Sequence, residues 1–276
     1  INFVSLTGHD LDGPVLRMEA GEHAYARGQV LLGGAGEAFD GVLGITGMAQ
    51  DGYRRNARQE SYRALGNLGW RLGEAAEARL YLARAESRSA LPGALSRAQF
   101  EADPRQASAG SVALDQRRDL VLDRVGLRVG WLDGGGEWIA SAFVSDKSLD
   151  HPIFQWLLID SRDLGADLRN RRSFDVANGQ VVLSWGLSWS RGENADERFV
   201  NRGNRHPDGR AGARTGRSDQ IARNQSAFIE AQWPASERLV LIGGAHGVRA
   251  ERESRDLFRA GGIDRSFERR YQRASP

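Results

Sequence analysis

Arginine is the residue type through which this chain offers chemistry. Between positions 191 and 217 stand Arg191, Arg198, Arg202, Arg205, Arg210, Arg214 and Arg217, in a stretch rich in glycine, asparagine and acids. A guanidinium is a planar fork that pairs with a carboxylate through two parallel hydrogen bonds. Such a set can hold an anion, but it does not make or break bonds by itself. The five histidines, His9, His23, His151, His206 and His246, show no metal-ligand spacing among themselves. His151 and His206 lie in polar segments and are the two best placed to reach a ligand. Cysteine is absent, which excludes disulfides, thiolate metal sites and thiol nucleophiles. The chain carries no G-x-S-x-G elbow, no H-E-x-x-H pair and no phosphate-binding loop. The glycines of "GVLGITG" (41–47) lie in a strand-like pattern rather than ahead of a helix, and Glu101 and Asp103 face no evident partner. The residues point to binding rather than catalysis. No metal and no cofactor is implied.

Composition narrows the class. The 38 basic residues nearly balance the 36 acidic ones, and Lys147 is the only lysine. The arginines are spread along the chain with acids between them, so there is no basic face of the kind a nucleic acid requires. The longest apolar run, "LVLIGG" at 239–244, falls far short of the roughly 18 residues of a membrane helix. A β-barrel stays open, because its signal is weak in each strand. The segment begins at Ile1 with no basic or apolar leader, so no signal peptide is read within it.

The elements that would position these residues are strands. In "VVLSWGLSWS" (181–190), Val181, Leu183, Trp185, Leu187 and Trp189 fall on one face, and Val182, Ser184, Gly186, Ser188 and Ser190 on the other. That alternation is the period of a β-strand. It recurs at 62–72, 121–131 and 136–147, and more weakly at 14–22, 24–33, 39–50, 78–87, 160–169, 220–233 and 238–250. About eleven long antiparallel strands follow. Short turns at 33–38, 73–77, 133–137 and 234–237 alternate with long polar loops at 51–60, 87–118, 149–160 and 191–220. The brief link near 22–24 fits this least well. Tight turns at one end and long loops at the other describe an up-and-down barrel of the outer-membrane type. Trp70, Trp131, Trp138 and Trp233 sit beside the short turns, where amphipathic indoles form a girdle at a membrane–water interface. Glycine, serine, asparagine and arginine on the opposite face suit a wet lumen better than a packed core. Val181, Leu183, Trp185 and Leu187 are therefore expected to face lipid, with Trp189 near the far interface, where the strand leads into the arginine loop.

Against this background, the stretch "DGYRRNARQESYRALGNLGWRLGEAAEARLYLARAESRSALPGALSRAQFEADPRQA" (51–107) resembles the early barrel of TonB-dependent outer-membrane receptors, especially their ferric-dicitrate-like branch. "FDGVLGITGMAQDGYR" (39–54), "LDQRRDL" (114–120), "LDHPIFQ" (149–155), "DERFVNRG" (196–203) and "YQRASP" (271–276) extend the likeness in order along the chain. "INFVSLTG" (1–8) resembles the last strand of the plug domain. The resemblance implies an all-β, antiparallel, transmembrane barrel, of which about eleven of an expected 22 strands are present. Residues 1–10 would then close the plug, and 11–276 would form the N-terminal half of the barrel. It also implies uptake of a ferric siderophore or ferric-citrate-like chelate across a Gram-negative outer membrane, energised by the TonB complex acting on a plug outside this segment. The partners would be the chelate, outer-membrane lipid and TonB, with no nucleic acid. In such a receptor the arginines at 191–217, with His151 and His206, would meet the ligand. Arg63, Arg71, Arg124 and Arg128 would face the plug or channel water. The "FRAP" and "NPNL" signature of haem receptors is absent from this stretch.

Two other readings make different demands. A passive porin would share the wall and the girdle but lack a plug. A secreted, soluble β-sheet binding protein would pack the Val181–Trp189 face against a second sheet.

Overall fold

The computed structural model describes residues 5–177, 179–203, 211–236 and 238–276. Its strands are β1 (Val15–Gly21), β2 (Tyr25–Ala35), β3 (Phe39–Gln50), β4 (Gln59–Arg71), β5 (Ala76–Ala90) and β6 (Arg117–Asp133). They continue as β7 (Gly136–Pro152), β8 (Gln155–Val176), β9 (Gly179–Val200), β10 (Arg214–Ser236), β11 (Leu239–Asp256) and β12 (Phe267–Ser275). All twelve form one sheet in chain order, each antiparallel to the next. No pairing joins β12 to β1 among the described residues, so the wall is open. Two short helices, α1 (Arg97–Ala102) and α2 (Ala109–Ala113), lie in the β5–β6 connection.

The alternation locates most strands, and two expectations are corrected. The stretches 149–160 and 191–220 are largely not loops. β7 and β8 run through the first, leaving only 153–154 between them, and β9 and β10 run through much of the second. β12 adds a twelfth strand where about eleven are expected. The cause is the same in each case. Alternating hydrophobicity marks a strand only where one face is wet and the other is not. In the strands of 191–220 and in β12 both faces carry polar residues, and at the start of β8 Trp156, Leu157, Leu158 and Ile159 put apolar side chains on both, so the ladder continues without a periodic signal.

The turn end is tight. Gly134 (φ 41°) and Gly135 (φ 120°) make the two-residue β6–β7 hairpin, a backbone that side-chain-bearing residues adopt at a cost. At the other end, Arg54 ties the β3–β4 loop to the carbonyls of Pro92, Gly93 and Gln106. The Asn201 amide donates to the carbonyls of Leu114 and Ile153. These bonds bind neighbouring loops into one cap.

Burial is inverted relative to a water-soluble domain. Apart from Pro152, no large apolar side chain is buried among the described residues, whereas Asp40, Arg79, Ser145, Asn170, Asp196 and Asn201 are. Leu187 is 52% exposed and Leu127 47%, on a face covered by no second sheet. The packing that the soluble reading demands is therefore missing. The other face is concave: side chains from Arg27 on β2 to Asp167 on β8 line a single hollow of about 910 Å³.

Candidate functional site

Register sorts the outer face into bands. Trp131 pairs with Trp138, Trp138 with Asn170, and Asn170 with Trp185. The first two indoles stack at 5.6 Å, and Trp138 meets Trp185 edge-on at 5.4 Å. Asn170 lies between Trp138 and Trp185 in this row and is buried. The Trp138 indole N–H donates to Asp133 at 2.9 Å, the arrangement of an amphipathic ring at an interface. Phe39 stacks on Trp70 at the same end, and Trp233 is half exposed there. Away from the turns, β6 presents Val129, Leu127 and Val125 on this face, then Asp123. β9 presents Val181, Leu183, Trp185, Leu187 and Trp189, then Arg191 and Glu193. Trp189 thus marks the upper edge of the apolar band, although β9 continues past it to Val200 rather than entering a loop.

Above that edge the outer face carries cross-strand ion pairs, including Arg84 with Asp123 at 3.0 Å and Arg162 with Asp146 at 2.7 Å. The arginines expected to form one ligand-binding loop are dispersed by this geometry. Arg191 lies on β9 and pairs with Glu193 at 2.5 Å. Arg214 and Arg217, on β10, share Glu197 at 3.2 and 3.6 Å. These three share the outer face, because register places Arg191 opposite Arg223, Phe199 opposite Arg214 and Glu197 opposite Arg217. Arg198 takes the concave face and is held by Asp196 at 2.8 Å. Arg202 lies just beyond β9. Arg205, His206 and Arg210 lie outside the described residues. His151 is the last residue but one of β7 and donates from Nδ1 to the Arg117 carbonyl at 2.7 Å, which makes it a tie between strands. No group of three potential metal ligands occurs among the described residues.

What the register assembles instead is a charged cleft on the concave face, above the apolar band. One row runs Lys147, Ser161, Asn194, Gln220, Ser254, Phe267 across β7 to β12. The row beneath includes Asp163, Gly192, Ala222, Arg252 and Arg269. These residues and Tyr271 line a hollow of about 680 Å³. Arg252 is oriented by Asn224 at 2.8 Å, and Lys147 has no ion pair among the described residues. Lys147, Arg252 and Arg269, with amide and hydroxyl donors between them, can meet an anion, and Asp163, Glu193 and Glu253 also line the hollow, so the cleft carries both signs of charge. Lys147, as the only lysine, is the one sequence signal that could have found it. Arg252 and Arg269 lie where alternation has stopped.

No protein-family model matches the chain, and no curated protein matches it. Solved structures do. The ferric citrate transporter FecA in its unliganded form aligns with a TM-score of 0.74 and 12% identity, over 95% of this chain and 40% of its own. The ferric-catecholate import receptor Fiu from E. coli gives 0.69 and 13%, over 95% and 50%. The siderophore receptor PiuA from Acinetobacter baumannii gives 0.74 and 9%, over 93% and 45%. The chain spans half or less of the length of each of these structures. An open antiparallel meander, apolar outside and polar within, has here the fold of the TonB-dependent receptor barrel, over part of its wall.

Proposed function

We propose that the chain is part of the wall of an outer-membrane receptor that imports a ferric chelate. On this reading residues 1–10 end a plug, 11–276 begin the barrel, and the TonB complex supplies energy through the plug. The role is transport without catalysis. The observation that carries the reading is the inverted burial: an apolar band exposed on one side of a single sheet, edged by indoles and then by ion pairs, with a charged, polar cleft on the other side. The aligned structures are receptors and transporters of ferric siderophores and ferric citrate, which fits an anionic, iron-bearing ligand. Short turns lie on the periplasmic side and long loops outside, as in bacterial barrels generally.

The test is growth and radiolabelled iron uptake under iron limitation with the full-length gene deleted, one ferric chelate at a time. Loss of uptake of one chelate, restored by the intact gene, is expected; unchanged uptake of every chelate overturns the reading. In the restored strain, Lys147→Met and Arg252→Gln each weaken binding of that chelate about tenfold or more, the value of a lost charge-assisted contact.

A further inference from the structure

The segment ahead of β1 is locked to the concave wall by the most thoroughly buried ion pair in the described structure. Arg79 grips both carboxylate oxygens of Asp40, at 2.8 and 2.6 Å, with each side chain under a tenth exposed. The same carboxylate accepts the backbone N–H of Gly8 at 2.9 Å. Arg79 also donates to Asn67 at 2.7 Å, and Asn67 donates to the carbonyl of Leu6 at 2.8 Å. Two glycines make room. A Cβ on Gly8 would lie 2.7 Å from the Gly41 nitrogen, and one on Gly69 would run into the Arg79 guanidinium. The chain therefore enters the concavity at a defined point, and Ser5 and Leu6 line the same hollow as Arg63 and Arg128.

Those two arginines, with Arg124, are the charges of that hollow that no acid among the described residues balances. Arg128 stands directly opposite Arg79 across the β5–β6 ladder, a placement that is unfavourable for like charges. Arg79 is neutralised by Asp40 and Glu77. Arg128 and Arg63 have no ion-pair or hydrogen-bond partner among the described residues. Arg128 lies six positions nearer the turn end of β6 than Leu122, the residue in register with Lys147 of the cleft, whereas Arg63 shares that row through Ala85 and Leu122.

We propose that the wall around Arg63 and Arg128, with the Asp40–Arg79–Asn67 anchor, is the seat of an acidic face on the polypeptide that enters ahead of Ser5. The proposal rests on the reading of the chain as a plugged receptor, and it assigns the plug's contacting surface a charge. The anchor sets the position of the entering chain, and acidic side chains on it supply the counter-ions that the wall lacks. An anionic chelate held between Lys147, Arg252 and Arg269 does not need Arg128, which stands six positions away along β6.

The experiment uses the full-length receptor in the outer membrane, with Arg63→Glu/Arg128→Glu, Arg63→Gln/Arg128→Gln and Asp40→Asn/Arg79→Gln. Heat-modifiable migration checks that each barrel is folded. The glutamate pair is expected to admit a large hydrophilic antibiotic about tenfold faster than the parent, a like-charge repulsion of modest size. It should also expose the residues upstream of Ser5 to added protease, with surface binding of the chelate retained. The glutamine pair leaks less, and the anchor variant exposes the segment around Gly8 first. A folded glutamate pair that stays sealed and protease-resistant overturns the proposal. If chelate binding falls while the interior stays sealed, the arginines serve the ligand, and the proposal fails although the transport reading stands. If the parent binds and imports no ferric chelate yet the glutamate pair leaks, the transport reading fails and the seat stands.

Discussion

At the scale of single residues, the buried polar groups matter more than the exposed apolar ones. Asp40 and Arg79 lie in a wall with no apolar core, so each depends on the other for solvation. Replacing Arg79 alone by Met strands a buried carboxylate and is expected to cost about 3–5 kcal/mol. The double change Asp40→Asn/Arg79→Met should cost much less, because no charge is left uncompensated. Guanidinium unfolding of the intact receptor in vesicles measures both, and equal losses would remove the argument for a coupled pair. Asp10 makes a second, pH-dependent contribution. Thr7 donates its backbone N–H and hydroxyl to this carboxylate at 2.7 and 2.8 Å, which holds the Asp10 carboxyl below its ordinary value of 3.8. A group whose folded value is depressed stabilises fully above its unfolded value and loses that contribution as the pH falls through the folded one. Amide exchange at Thr7 should therefore be unchanged from neutral pH down to the ordinary carboxylate range, with protection lost only below it. Protection lost near pH 6 would contradict the geometry.

At the scale of elements, a strand of β8 to β10 holds 22 or 23 residues, whereas about 9–11 suffice to cross a bilayer. Each therefore divides into a lower part with one apolar face and an upper part in which that alternation is lost. The division is sharp on β6, where Leu127 and Val125 give way to Asp123 on one face. Leu127→Arg places a charge within the apolar band and is expected to destabilise the folded barrel by about 2–4 kcal/mol. Ser184→Arg, on the concave face of β9, should change stability little. Folding titrations of the full-length receptor into lipid vesicles compare the two, and equal costs would mean that both faces meet the same medium. The upper parts are held differently, by ladders and ion pairs such as Arg162–Asp146. Each exposed pair is worth little by itself, so the backbone ladder is the main support there.

At the scale of the molecule, twelve strands with free edges at β1 and β12 cannot close on themselves as paired here. Unpaired strand edges recruit other strands. The 276 residues expressed alone are expected to aggregate on refolding with lipid rather than give a discrete heat-modifiable band. The full-length receptor should give that band. A soluble, monodisperse product from the 276 residues would overturn the membrane reading. Most of this architecture is legible in the sequence. Strict alternation at 181–190 and 121–131, tryptophans beside short turns and the absence of long apolar runs specify a wall that is wet on one side only. That follows from a local rule, since a strand's period of two assigns each residue to a face without reference to its neighbours. Local rules end where the two faces no longer differ in polarity, which is why the upper halves of β8, β9 and β10 read as loops and β12 is not seen. They say nothing about which strand positions stand side by side. Tertiary structure alone scatters Arg191, Arg198, Arg214 and Arg217 over two faces and gathers Lys147, Arg252 and Arg269, up to 122 positions apart in the chain, into one cleft. It also brings Gly8 to Asp40 and Arg79. These are matters of register, set by hydrogen bonds between strands distant in sequence.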